Sequence, residues 1–259
     1  MDDRILIFVL AGVLNGLVTG TTGANGMVLI LSILMMAGVG IHETIGTCLA
    51  VQVFTMTTAL ITRATRSELS GRLVLVLCVP AISASFAGAK LALRVPGALL
   101  EGLVMGLLLV VGLLLLRPRS TMTTRIAEDR GHDVRPGALA RMGLVGTVSG
   151  GLAGLVGGGG NIVVANAVHK LLGLPFRSAV ALSLCLGITA ATLGVVPYLL
   201  DDRLDASIVP WVLAPALVAA WMSSRWSHRV SVPTIRRIQG AYLMIVATAL
   251  AARACSGGG

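Results

Sequence analysis

The chain has 259 residues, of which 56% are hydrophobic, 12% charged and 3% aromatic, with a formal net charge of +9. Soluble domains carry about 25% charged residues, so this composition cannot clothe a water-exposed surface, and the chain reads as an all-α, polytopic integral membrane protein. Its 20 Lys and Arg lie between apolar runs rather than in one basic stripe, which marks them as topology signals and lipid headgroup contacts and leaves no nucleic-acid partner.

Met1, Asp2, Asp3 and Arg4 open the chain without the basic stretch and small-x-small site of a signal peptide, so the first run is expected to remain in the mature protein. Short apolar runs at 5–19 and 27–37 are followed by long ones at 43–62, 72–91 and 98–116. The second half repeats the order, with short runs at 142–156 and 162–172 and long ones at 178–200, 207–224 and 235–252. Long runs have the ~20 residues that cross ~30 Å of hydrocarbon. The short ones reach only about 16 to 23 Å at helical rise. Between the halves lies a polar stretch bearing Arg119, Arg125, Arg130 and Arg135 among Glu128, Asp129 and Asp133. The expected organisation is a first transmembrane repeat at 1–117, a cytoplasmic linker at 118–138 and a second repeat at 139–259.

A single fixed offset aligns Gly16 with Gly151, Gly23 with Gly158, Gly38 with Gly173, Leu49 with Leu184, Pro80 with Pro215 and Arg94 with Arg229. One offset holding over so long a stretch indicates two copies of one unit. If each short pair crosses once as a broken helix, the basic residues divide 12 inside to 8 outside. If each short pair is a hairpin that returns to its starting side, the second copy is inverted. Then 15 are inside, and only Arg4, Lys90, Arg94, Arg203 and Arg253 are outside, with Asp2, Asp3, Glu43, Asp201, Asp202 and Asp205. Positive charge is retained in the cytoplasm, so the inverted arrangement with both termini periplasmic is expected.

Between the short runs stand Gly20, Thr21, Thr22, Gly23, Ala24, Asn25 and Gly26 in the first half, and Gly157, Gly158, Gly159, Gly160 and Asn161 in the second. Unwound backbone inside a membrane needs protein or water to satisfy its polar groups. A helix opening after such a turn aims unpaired N–H groups and the positive end of its dipole at the tip. Two such tips entering from opposite sides form an anion site near the midplane. The other reading of the glycines is close helix packing, which Gly16 with Gly20, Gly102 with Gly106 and Gly150 with Gly154 have the spacing to serve. No Lys followed by Ser or Thr comes after either turn, so a phosphate-binding P-loop is excluded. No GxSG precedes Ser149, and the four His lie at or beyond the ends of apolar runs, so no nucleophile with its base marks an enzyme.

Gln52 stands at the centre of its run, the costliest depth for an unpaired amide, where it either bonds a neighbouring helix or faces a ligand. Asn166, one turn into its helix, is placed to line the tip. Thr55, Thr57, Thr58 and Thr189 are expected to bond their own preceding carbonyls. Lys90, Arg94, Arg225 and Arg229 are expected either to snorkel or to draw anions to opposite mouths; Trp211, Trp221 and Trp226 suit interface anchors. None of the 11 Asp and Glu falls mid-run, so no carboxylate relay is visible. Cys48, Cys78, Cys185 and Cys255 have no CxxC spacing, and the sequence supports neither a disulfide framework nor a metal site; no cofactor is expected.

Downstream of the turns come Ile45, Gly46, Thr47, Cys48, Leu49 and Ala179, Val180, Ala181, Leu182, Ser183, Leu184, and the fourth run of the first half closes with Gly88, Ala89, Lys90, Leu91, Ala92, Leu93, Arg94, Val95, Pro96. With the duplicated glycine turns, this resembles the TauE/SafE family of sulfite and organosulfonate transporters, also called the 4-toluene sulfonate uptake permease family. Thr21, Thr22, Ala24 and Asn25 stand where that family carries mostly glycines. The resemblance implies a secondary transporter of a small organic or inorganic sulfur oxyanion in the bacterial inner membrane, working by alternating access. It also implies an anion held by Gly23, Asn25, Gly26, Gly158, Gly159, Gly160 and Asn161. Thr22, Gln52 and Asn166 complete the expected substrate-binding set. An anion channel or a non-transporting membrane interaction protein is the alternative; the residues fix neither direction of transport nor oligomeric state.

Overall fold

The computed structural model describes residues 2–22, 26–64, 71–116, 136–158, 161–174 and 176–226. Their elements are helices, in the order α1 (Asp2–Thr22), α2 (Met27–Met36), α3 (Ile41–Ala64), α4 (Gly71–Arg94), α5 (Gly97–Leu116), α6 (Pro136–Val156), α7 (Asn161–Leu172), α8 (Phe176–Leu200) and α9 (Val209–Trp226), with no strand among the described residues. The chain is a polytopic all-α membrane protein. Among the described residues five helices are long and apolar enough to cross a bilayer: α1, α3, α4, α6 and α8. The final run at 235–252 and most of the linker lie outside the described residues.

The first arm of each turn is longer than its apolar run. Both α1 and α6 have 21 residues, about 31 Å at helical rise, whereas α2 has 10 and α7 has 12. Gly20, Thr21 and Thr22, which the sequence assigns to the turn, form the last turn of α1. The Thr21 hydroxyl donates to the Leu17 carbonyl at 2.6 Å, a back-bond that lets a polar residue continue a helix in apolar surroundings. At the other ends of the short helices, Gly38 (φ +83°) and Gly173 (φ +65°) take the left-handed conformation that closes a helix. Gly38 donates to Met35 O and Val39 to Leu34 O, while Gly173 donates to His169 O. This aligned pair of glycines thus does the same conformational work twice.

Packing follows the repeat across the halves. The most extensive contacts join α1 to α9 and α4 to α6, and the next join α8 to α4 and to α3. Glycine stripes permit the first two. A Cβ on Gly12, Gly16 or Gly20 would strike the carbonyls of Val212, Ala216 and Ala220, and one on Gly146, Gly150 or Gly154 would strike those of Leu77, Ala81 and Ser85. The struck partners keep the repeat offset, while the glycines slip by one, so that Gly150 and Gly151 share the place Gly16 occupies alone. The packing reading of Gly16, Gly20, Gly150 and Gly154 therefore holds, with backbones close enough for Cα–H···O contacts. A Cβ added at Gly102 or Gly106 would meet nothing within 4 Å, and these two take no part in it.

These registers also set direction. Rising numbers in α1 meet rising numbers in α9, and α4 and α6 likewise run the same way. In the central pair, Gly46 lies against Tyr198 while Leu49 lies against Gly194, so α3 and α8 run antiparallel. Ser85 of α4 donates to the Ala190 carbonyl of α8 at 2.7 Å, further along both helices than the contact of Cys78 with Thr189, so these two are parallel. The chain then reverses into α9 through a turn in which Arg203 N–H returns to Tyr198 O at 2.8 Å and Asp205 accepts from Ser207 N–H at 2.9 Å. The spans of α3 and α8 are 61% and 67% buried, against 39% for α1, α4 and α6, which makes this pair the centre of the molecule. Leu6, Leu10, Leu75, Val79, Leu144 and Val148 are exposed along the outer helices, as a lipid-facing surface requires.

Candidate functional site

The first turn is held from behind by α1. Asn15 and Thr19 are both buried, and Thr19 Oγ1 donates to Asn15 Oδ1 at 3.4 Å. Gly26 N–H donates in turn to Thr19 Oγ1 at 3.2 Å. A Cβ on Gly26 would stand 2.7 Å from both the backbone oxygen and Oδ1 of Asn15. Glycine at position 26 is thus required by the close approach of the returning chain to α1, and its N–H is committed to Thr19.

The second turn begins with Gly157 (φ +84°) and Gly158 (φ +141°), both in conformations that side chains disfavour. A Cβ on Gly157 would strike the Met27 methyl and lie 3.1 Å from Ile45 Cγ2. Met27 opens α2 directly after the first turn, and both it and Ile45 are buried. The two turns, one in each half of the chain, are therefore joined through one thioether. Tyr198, fully buried on α8, donates its hydroxyl to the Gly154 carbonyl at 3.3 Å and ties down the end of α6 just before the turn.

Three buried polar atoms of the helix interior have no hydrogen-bond partner among the described residues: Thr47 Oγ1 and Gln52 Oε1 on α3, and Ser149 Oγ on α6. Gln52 is 2% exposed. It does not bond a neighbouring helix; its Nε2 donates to Met56 Sδ at 3.4 Å on its own helix, a weak acceptor, and its carbonyl is left over. A buried polar group left unpaired costs roughly 1–3 kcal/mol, so each of these atoms is a point at which a polar ligand or water would be stabilising.

Of the expected site residues, Gly26, Gly158 and Gln52 are described. Thr22 closes α1, Asn161 opens α7 and Asn166 lies along it, but their side chains are outside the described part, as are Gly23, Asn25, Gly159 and Gly160 altogether. The threonines behave as the sequence requires, with Thr55 donating to Val51 O at 3.0 Å, Thr57 to Val53 O at 2.6 Å, Thr58 to Phe54 O at 2.9 Å and Thr189 to Cys185 O at 3.0 Å. Asn15, Thr19 and Tyr198 hold the turns and are not singled out by sequence reasoning. Asn15 carries the signal that marks Gln52, an amide inside an apolar run, and Thr19 one turn later is its natural partner. No group of three or more His, Cys, Asp and Glu able to hold a metal occurs among the described residues.

Buried glycines that flank two turns, one in each half and in contact through Met27 and Gly157, among long apolar helices define the class as a multi-pass membrane protein. The model of the sulfite exporter TauE/SafE family matches residues 8–250, and the chain belongs to that family. It is similar to the probable membrane transporter protein YdhB of Bacillus subtilis (strain 168), with 24% identity over 227 residues that cover 86% of this chain and 90% of the relative. No solved structure matches the chain.

Proposed function

We propose that this protein is a secondary transporter of a small sulfur-containing anion, a sulfite or a sulfonate, in the bacterial inner membrane, that its two halves are inverted repeats, and that it works by alternating access. The observation that carries the reading is the contact between the residues that flank the two turns, Met27 and Gly157, in a helix interior that also holds unpaired polar atoms on Gln52, Thr47 and Ser149. The antiparallel run of the repeat-equivalent helices α3 and α8 supports the inversion. The anion is held by N–H groups at the starts of α2 and α7 and by the amides of Asn25 and Asn161, which offer donors without a charge to desolvate. Gln52 orients the site through an ordered water or a protonated ligand oxygen, since its free group is an acceptor.

The test is ligand-dependent melting of the purified protein against sulfite, sulfate, thiosulfate, sulfoacetate and an aryl sulfonate, followed by exchange of labelled for unlabelled anion in vesicles. A carrier saturates and exchanges; unsaturable flux would make the protein a channel. Changing Asn25 or Asn161 to Asp replaces donors by acceptors and adds like-charge repulsion, so it should weaken binding far more than Ala, which loses about 0.5–1.5 kcal/mol of hydrogen bond. Equal affinities for the Asp and Ala variants would remove both amides from the site.

A further inference from the structure

Two cation–aromatic pairs occupy positions related by the repeat offset. Lys90 Nζ lies 4.8 Å from the centre of the Phe86 ring on α4, and the Arg225 guanidinium lies 4.0 Å from the Trp221 ring on α9. Helical side chains lean toward the N-terminus of their helix, and in both pairs the cation folds back one turn over the ring instead of reaching past the helix end. This is the reverse of snorkelling, because it draws the charge toward the apolar part of the helix. Lys90 and Arg225 are exposed, and they contact these rings, with no carboxylate paired to either among the described residues. Val79, two turns before Phe86, and Val218, one turn before Trp221, lie on the same helix faces as the pairs and are also exposed. Each site thus sets a cation needing an anion beside apolar surface needing hydrocarbon, which is the chemistry of an anionic phospholipid. Because α4 runs with α8 and α9 runs against it, the two sites face opposite leaflets.

We propose that Phe86 with Lys90 and Trp221 with Arg225 are equivalent binding sites for the phosphate of an anionic phospholipid, one in each leaflet. They fix the depth of α4 and α9, the two helices against which α6 and α1 pack. The occupant is a lipid rather than a free anion, because the cation is held over a ring on a face lined by exposed apolar side chains.

The experiment uses the full chain with Trp211→Phe and Trp226→Phe, so that Trp221 alone reports, reconstituted in phosphatidylcholine vesicles. Equal fractions of chain-brominated phosphatidylglycerol or chain-brominated phosphatidylcholine are added as quenchers. Trp221 should prefer the anionic quencher about five-fold, the equivalent of about 1 kcal/mol for one basic residue at an anionic surface, and Arg225→Gln should abolish the preference while quenching by phosphatidylcholine persists. A chain with all three Trp changed to Phe and Phe86→Trp should behave the same way toward Lys90→Gln. Equal quenching by both lipids, a preference that survives Arg225→Gln, or a preference at only one of the two sites would overturn the proposal. So would loss of the preference on adding inorganic phosphate at constant ionic strength, which would make a free anion the ligand.

Discussion

The Met27 methyl occupies the space into which a side chain on Gly157 would project, and this contact joins residues that flank the turns of the two halves. Both partners follow from backbone demands. Gly157 is at φ +84°, and Met27 is the first residue after a turn whose last member, Gly26, is pressed against Asn15. An unbranched, polarizable side chain fills such an irregular gap between two turns more readily than a branched one.

Gln52→Leu separates a ligand role from a packing role. Removing an amide whose carbonyl is unpaired should raise the melting temperature of the ligand-free protein, by up to the roughly 1–3 kcal/mol that such a group costs, while abolishing transport. A variant that melts lower and still transports would make the amide structural.

Thr19→Val removes the acceptor of the Gly26 N–H and should destabilise the protein by about 1 kcal/mol, whereas Thr19→Ser should restore it. In the slipped register of the glycines, the matching place in α6 is Ala153, buried and without a hydroxyl, so Ala153→Val changes volume there without removing a hydrogen bond. Melting curves of Thr19→Val and Ala153→Val that fall equally would show that volume, not the hydrogen bond, matters at the first turn.

Gly16→Leu and Gly150→Leu should each prevent assembly, because the added side chain meets backbone carbonyls of α9 and α4 that cannot turn aside. Gly102→Leu on α5 should be tolerated, since nothing lies within 4 Å. Size-exclusion profiles in mild detergent report all three. Monodisperse Gly16→Leu protein would contradict the close approach of α1 to α9.

Cysteines introduced at Ser120 and Asp202, in a chain whose four native cysteines are replaced, should label from opposite sides of the membrane, with Asp202 periplasmic. The charge partition sets the expected side, and the antiparallel course of α3 and α8 agrees with opposed labelling. Labelling from the same side would exclude the inverted arrangement.

How much of this was legible in the sequence depends on which interaction sets each feature. The runs at 43–62, 72–91 and 178–200 were readable as spans because hydropathy is a local record, whereas α1 and α6, whose apolar runs read as short, are also long enough to cross; Gly38 and Gly173 share the left-handed role that their alignment implies. The C-terminal end of α1 was not readable, because Gly and Thr ordinarily interrupt a hydrophobic pattern, whereas α6 ends at Val156 as its apolar run does and differs by beginning at Pro136. Here Gly20 stays helical by admitting α9, and Thr21 by bonding Leu17. The glycines of the turns and of the helix contacts look alike in a string of residues. Only the position of Ala216 or Asn15 opposite them tells which is which. Asn15 and Thr19 are hidden at that level because their partner is the returning chain at Gly26, a contact that neither hydropathy nor periodicity records.

The exchange of partners between the halves bears on how the chain is made. Since α1 packs on α9 and α4 on α6, α1 leaves the ribosome long before its main neighbour in the opposite half of the chain, whereas α6 finds α4 already inserted. Synthesis runs at about 5–20 residues per second, so α1 must wait for tens of seconds, its glycine stripe facing lipid. The amino-terminal half released alone would keep that stripe uncovered, and it should be a substrate for membrane quality-control proteolysis until the carboxy-terminal half is supplied in trans.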